Sequence, residues 1–277
     1  GGFRMQKALN PRKEPAGKWL ILTASGVGTL VLTLDSGMVG VIYPALAEAF
    51  DTDTSTVLWT SVVYWVTAVG LVVTIGWVAD VGRRRAIFSL GFVVLTLGLA
   101  FSALSTNMWQ LIASRIFQGI GSAMLLANVN AIITQTFPAG ERGKAMGISG
   151  AVVGVGLSAG PLLGGLLLDA LDWRALFYTR IPISLFGAVL AWRVLPSEPV
   201  VPGSYRIDYL GAAALFTALS SFLLVVNQGG ERGFDSLFVV GMIALFIVSV
   251  PVLVWSQRRS VRPILEFALF KRAQFSI

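Results

Sequence analysis

The chain has 277 residues, 55% of them hydrophobic and only 13% charged, with 21 basic against 14 acidic side chains. Soluble domains carry about 25% charged residues, so this composition, with a mean hydropathy of +0.78, excludes an ordinary water-exposed globule. With no cysteine and no histidine, disulfides, thiolate chemistry and imidazole metal ligands are excluded too, and proton exchange is left to carboxylates.

One membrane crossing takes about 20 mostly apolar residues, and the chain offers eight such stretches in order. They run from Trp19 to Ala47, Val57 to Ala79, Ala86 to Leu104, Trp109 to Phe137, Ala145 to Leu171, Ala175 to Leu195, Tyr209 to Asn227 and Leu237 to Trp255. The connections are short and carry turn formers and charge, as in Asp51-Thr-Asp-Thr-Ser, Pro138-Ala-Gly-Glu-Arg-Gly and Asn227-Gln-Gly-Gly. The expected fold is an all-α integral membrane helix bundle, since a β-barrel would show short alternating segments. The first span is not read as a signal peptide, because its apolar stretch is about twice the usual length and contains Asp35.

Charge placement predicts the orientation. With the N-terminus on the cytoplasmic side of the cell membrane, 17 of the 21 basic residues fall on inner segments, including Lys18, Arg83 to Arg85, Arg142, Lys144, Arg258 and Arg259. Arg174, Arg180 and Arg232 fall outside and Arg115 lies within a span. Such asymmetry is the positive-inside pattern, so the net charge of +7 is a topology signal and no nucleic-acid partner is expected. The predicted units are a cytoplasmic N-terminus (1–18), a six-helix unit (19–195), a linker (196–208), two further spans (209–256) and a loop leading toward another span (257–277). A C-terminal half of the same bundle is expected beyond it.

Two charged residues sit inside spans. A charge at the bilayer centre costs about 2.5–3.5 kcal/mol on insertion scales, which makes such residues functional candidates. Asp35 lies about 15 Å and Arg115 about 9 Å from the outer ends of their spans at 1.5 Å per residue, so an arginine side chain bridges them if the helices adjoin. At 100° per residue, Gln118, Ser122 and Asn130 fall within about 60° of Arg115, while Asn128 points elsewhere. A purely structural ion pair remains an alternative. The fifth span carries Gly150, Gly154, Gly156, Gly160, Gly164 and Gly165 around Pro161, a pattern for close helix approach with a proline bend. Between spans two and three, Gly76, Asp80, Gly82, Arg83, Arg84 and Arg85 read as a topology anchor with a possible charged latch.

Taken together, these segments resemble the major facilitator superfamily, specifically its fourteen-span drug:proton antiporters. Leu34-Asp35 with Pro44 resembles the first-helix motif, and Trp59 with Tyr64 the second-helix aromatic pair. The stretch Gly76 to Arg85 resembles the signature loop, and Arg115-Ile-Phe-Gln118-Gly119-Ile-Gly121 the fourth-helix motif. Gly156-Leu-Ser-Ala-Gly160-Pro161-Leu-Leu-Gly164-Gly165 is similar to the fifth-helix antiporter motif, and Trp173-Arg174, Phe177 and Pro182 to the entry of helix six. The signature loop is one residue short, with Val81 where a basic residue is usual. Gly37 and Gly40 replace threonine and asparagine, Ala127 a proline, and Arg180 an asparagine.

The resemblance implies a proton-coupled secondary transporter, not an enzyme, that exports small lipophilic drug-like molecules by alternating access. Asp35 would exchange a proton under the influence of Arg115, with Gln118, Ser122, Asn130, Trp59 and Tyr64 lining the cavity. Substrate and proton would compete for one site, the glycine-rich fifth helix would slide or hinge, and the C-terminal half would supply the other wall and the partner of Asp80. The implied partners are a small-molecule substrate, protons and the lipid bilayer, with no metal and no cofactor. Open alternatives are an importer or facilitator of another solute, and a fragment inactive on its own. A membrane-embedded enzyme would need a nucleophile–base pair or metal ligands within the spans, and the sequence offers neither.

Overall fold

A computed structural model describes residues 17–80, 83–196, 208–260 and 264. Among the described residues, all regular structure is helical and eight segments are long and apolar enough to cross a membrane. The first span is α1 (Lys18–Met38), a 3₁₀ turn (Val39–Ile42) and α2 (Tyr43–Ala49). Then come α3 (Thr54–Asp80), α4 (Arg84–Ala103), α5 (Met108–Thr136) and α6 (Ala139–Ala170). The sixth span is the short α7 (Ala175–Tyr178) with α8 (Arg180–Val194), followed by α9 (Tyr209–Arg232) and α10 (Leu237–Arg259).

In lipid every backbone donor and acceptor must be satisfied within the protein, which favours uninterrupted helices, so each break calls for a cause. The 3₁₀ turn in the first span ends where Pro44 enters the first turn of α2. Proline lacks the N–H that would continue the ladder but is pre-set for a helix start. The next span begins at Asp53, whose carboxylate accepts bonds from Ser55 and from the N–H of Thr56 at 3.1 Å. The Ser55 hydroxyl, then that of Thr56, holds the Asp53 carboxyl down at about 2.

Two boundaries differ from the sequence expectation. The segment Pro138-Ala-Gly-Glu-Arg-Gly, expected as a loop, opens α6 instead, with Pro138 as N-cap and Glu141 in the first turn. An acid there complements the helix dipole, and Glu141 also pairs with Lys18 Nζ at 3.0 Å. Asn227-Gln-Gly-Gly, expected as a turn, lies within α9, where the Phe234 ring packs on Gly229, and the helix ends only at Gly233, whose φ of +82° suits glycine.

α5 packs against α3, α4 and α1, while α1 also packs against α6 and α8. One apolar cluster joins the first six spans, with Phe88, Phe92, Leu99, Leu111, Leu125 and Phe177 fully buried. A separate, smaller cluster of Ala214, Leu215 and Leu253 holds α9 to α10 and reaches α3 through Val73. Gly70 is the close contact there, since a methyl group added to it would lie 2.6 Å from the Phe216 ring.

Candidate functional site

Asp35 lies in the last turn of α1, 3% exposed, and meets Arg115 of α5 in a bidentate pair. Arg115 Nη1 donates to Oδ1 at 3.0 Å and Nη2 to Oδ2 at 2.8 Å. The fork geometry of guanidinium matches a carboxylate in this way. Arg115 also donates through Nε to the Thr60 carbonyl at 3.2 Å and through Nη1 to Gln118 Oε1 at 2.5 Å. Its guanidinium lies 4.4 Å from the centre of the Tyr64 ring, a cation–π contact.

The network continues inward and sideways. Gln118 Nε2 donates to Ser102 Oγ at 2.5 Å, and Ser102 shares a hydrogen bond of 2.5 Å with Ser114. Ser122 Oγ donates to the Tyr64 hydroxyl at 2.9 Å. Buried polar groups in a low-dielectric interior must be partnered in this way or cost heavily.

The glycines of the Arg115 motif explain how these helices come so close. A methyl group on Gly119 would lie 2.7 Å from Thr67 Cβ, and one on Gly121 would lie 2.5 Å from the Leu95 nitrogen. Gly98 clears the space for Gln118 in the same manner, with Gln118 Cγ 2.7 Å from an added methyl. Small residues at these points let α5 sit between α3 and α4.

The sequence reading placed Arg180 outside the membrane, and the structure corrects this. Arg180 is 1% exposed and donates through Nη1 to Asp35 Oδ1 and through Nε to the Leu176 carbonyl at 2.9 Å. Asp35 therefore faces two arginines. The one signal for this was that Arg180 stands where the resembling family carries asparagine. Counting charges missed it, because Arg180 lies near the outer end of the expected span Ala175 to Leu195, where a buried arginine and a loop arginine look alike in sequence.

The remaining candidates divide. Gln118, Ser122 and Tyr64 are buried around Arg115. Asn130 is exposed and outside this network, whereas Asn128, on the opposite face, is buried with its amide donating to the Met124 carbonyl at 2.8 Å. Trp59 does not join Tyr64. Its ring stacks edge-on against Phe238 of α10 at 6.3 Å and lies 5.7 Å from the Arg232 guanidinium.

In the glycine-rich α6, Gly156 abuts Thr33, Gly160 abuts Gly37 and Gly164 lies against Met38. A methyl group on Gly37 would lie 2.9 Å from Gly160 Cα, 3.0 Å from Pro161 Cδ and 3.2 Å from the Leu157 carbonyl oxygen. That carbonyl is the one Pro161 cannot bond. The glycine in place of threonine at position 37 is thus a helix contact. Gly150, Gly154 and Gly165 face open space. In the signature segment, Asp80 ends α3 and pairs with Arg84, Arg83 caps α4, and Gly76 touches Ala127. Arg85 donates to the Trp192 carbonyl at 2.5 Å. Gly82 lies outside the described residues.

A sequence profile described as Major Facilitator Superfamily matches residues 26–270. The riboflavin transporter RibZ of Clostridioides difficile is 29% identical over 94% of this chain and 56% of its own length. The multidrug resistance protein Stp of Mycobacterium tuberculosis is 28% identical over 93% of this chain and 48% of its own length. The multidrug transporter protein MdtP of Bacillus subtilis is 26% identical over 93% and 47%. The chain thus spans about half the length of the curated relatives it matches. A crystal structure of the peptide transporter POT with sulfate superposes at a TM-score of 0.63 with 17% identity, over 89% of this chain and 53% of that one, which supports the fold. With its eight apolar helices and a family profile covering nearly its whole length, the chain is a multi-pass membrane protein belonging to the Major Facilitator Superfamily of transporters.

Proposed function

We propose that the chain forms part of a proton-coupled secondary transporter that exports small lipophilic molecules by alternating access. The observation that carries this reading is the Asp35–Arg115 pair, a titratable acid in a bidentate ion pair within the apolar bundle. Proton uptake at Asp35 removes the charge that holds α1 to α5. It therefore loosens α1 from α5 within this half, which eases the rocking of one half against the other by which alternating access proceeds in this fold family. The contacts of Gly156, Gly160 and Gly164 with α1 supply the smooth surface on which it slides.

In this reading residues 19–195 form one six-helix half and 209–256 an additional pair, joined by the linker 196–208. The segments 1–18 and 257–277 lie on the cytoplasmic side of the cell membrane. A second half of the same transporter supplies the other cavity wall. The drug-like substrate class rests on the relatives named for multidrug resistance. Import of a solute is the second reading, favoured by the relative named as a riboflavin transporter.

The test is drug accumulation in cells lacking their own pumps, with the full-length gene and an Asp35→Asn version side by side. Lower accumulation with the wild type, abolished by the substitution and by collapsing the proton gradient, is expected. Equal accumulation in all cells, with the protein verified in the membrane, overturns export and favours import.

A further inference from the structure

Among the described residues the buried centre does not balance its charge. Arg115 and Arg180 bring two positive charges, and Asp35 is the one acidic side chain among the buried described residues. Both Asp35 oxygens are already taken by three guanidinium nitrogens. Arg180 Nη2 is buried with no hydrogen-bond partner among the described residues. An uncompensated charge and an unmade charged hydrogen bond are each costly in an apolar interior. Tyr64 and Gln118 do not help, because both are neutral and neither is bonded to Arg180 Nη2.

The group that balances such a site carries one negative charge and a hydrogen-bond acceptor. A lipophilic cation has the wrong sign, and a neutral amide supplies the acceptor without the charge. We propose that this transporter recognises organic anions, molecules with an apolar body and a carboxylate, sulfonate or phosphate group, and that Arg180 is the residue that binds the anionic group. The assignment rests on the transport reading above and names its substrate class. Arg115 remains committed to Asp35 through its two-bonded fork, while Arg180 holds Asp35 by one nitrogen and keeps another for the ligand.

The experiment uses the purified full-length protein in neutral detergent and two matched probes, 2-naphthoate and 2-naphthamide, which share a body and differ in charge. Thermal unfolding is followed against probe concentration for the wild type, Arg180→Asn and Arg180→Lys. A charged hydrogen bond is worth roughly ten-fold in affinity. The wild type is thus expected to bind naphthoate about ten-fold more tightly than naphthamide, with that ratio falling to about one in Arg180→Asn and partly kept in Arg180→Lys. If Arg180→Asn does not fold, the wild-type ratio and the lysine variant decide. Equal binding of both probes by the wild type overturns the proposal, as does an unchanged ratio in a folded Arg180→Asn protein. Gradient-driven export of naphthamide with no naphthoate binding also sinks it, leaving the transport reading intact and placing the balancing anion within the protein or the lipid. Conversely, Arg180-dependent naphthoate binding with no gradient-driven movement of either probe in liposomes sinks the transport reading and keeps the anion site.

Discussion

The six-span bundle and the α9–α10 pair are built on different terms. The bundle closes around a charged, fully buried centre, and its helices meet backbone to backbone at Gly37 and Gly160, Gly119 and Tyr64, and Gly121 and Leu95. The pair has a small apolar cluster of its own and touches the bundle along one face of α3, with Gly70 and Trp59 as the close contacts. Its fixed polar contacts are local: the Asp208 carboxylate accepts from the Gly211 N–H at 2.7 Å, Ser256 at 2.7 Å and Gln257 at 3.1 Å, clasping the ends of α9 and α10. In lipid, apolar surface gains nothing from hiding, so packing and polar contacts decide which helices are bound firmly. The contrast teaches that function belongs where those contacts converge, and the pair reads as peripheral.

Removing the central charge should have the largest effect. Asp35→Asn leaves two guanidiniums facing each other, and breaking a buried pair costs about 3–5 kcal/mol. A large fall in thermal stability together with loss of transport is expected, and a stable, active variant would show that the bundle is not organised on this carboxylate. Gly160→Leu comes next. Its side chain would collide with Gly37, and overpacking costs about 1–3 kcal/mol, so transport should collapse, whereas Gly165→Ala, facing open space, should fold normally. Comparable unfolding temperatures for the two variants would erase the distinction between the two faces of α6.

Gln118→Leu removes the link from Arg115 to Ser102 and should cost about 1–3 kcal/mol with Arg115 still paired. Retained transport with lowered stability would show a supporting role. The smallest effect is expected in the pair, where Trp59→Ala loses an aromatic contact worth about 0.5–1.5 kcal/mol. Transport near the wild-type rate is predicted, and a loss as deep as that of Asp35→Asn would put α9 and α10 inside the transport machinery.

Much of this was readable from sequence for a definite reason. Span positions follow from apolar length, which the bilayer imposes, and the structure's helices Thr54–Asp80, Arg84–Ala103 and Met108–Thr136 fall on the expected stretches. Asp35 and Arg115 stood out because an intramembrane charge is rare, and helical phase put Gln118 and Ser122 on the same side. Arg180 escaped because it opens α8 near the end of its span, where sequence alone does not separate a buried arginine from a loop one. For Trp59 and Asn130 helical phase gave a direction but not the neighbours, so the contact of Trp59 with Phe238 and the exposure of Asn130 were not legible. The same limit hid Gly37, whose meaning lies in a backbone contact with a helix more than a hundred residues away.

The most direct test of the central claim is proton movement itself. Full-length protein is reconstituted in liposomes with a pH-sensitive dye inside, and an export substrate identified by the accumulation assay is added. The account predicts substrate-driven proton flux for the wild type and none for Asp35→Asn, with the variant still binding the substrate. Flux through Asp35→Asn at the wild-type rate would contradict it and move proton coupling to another residue.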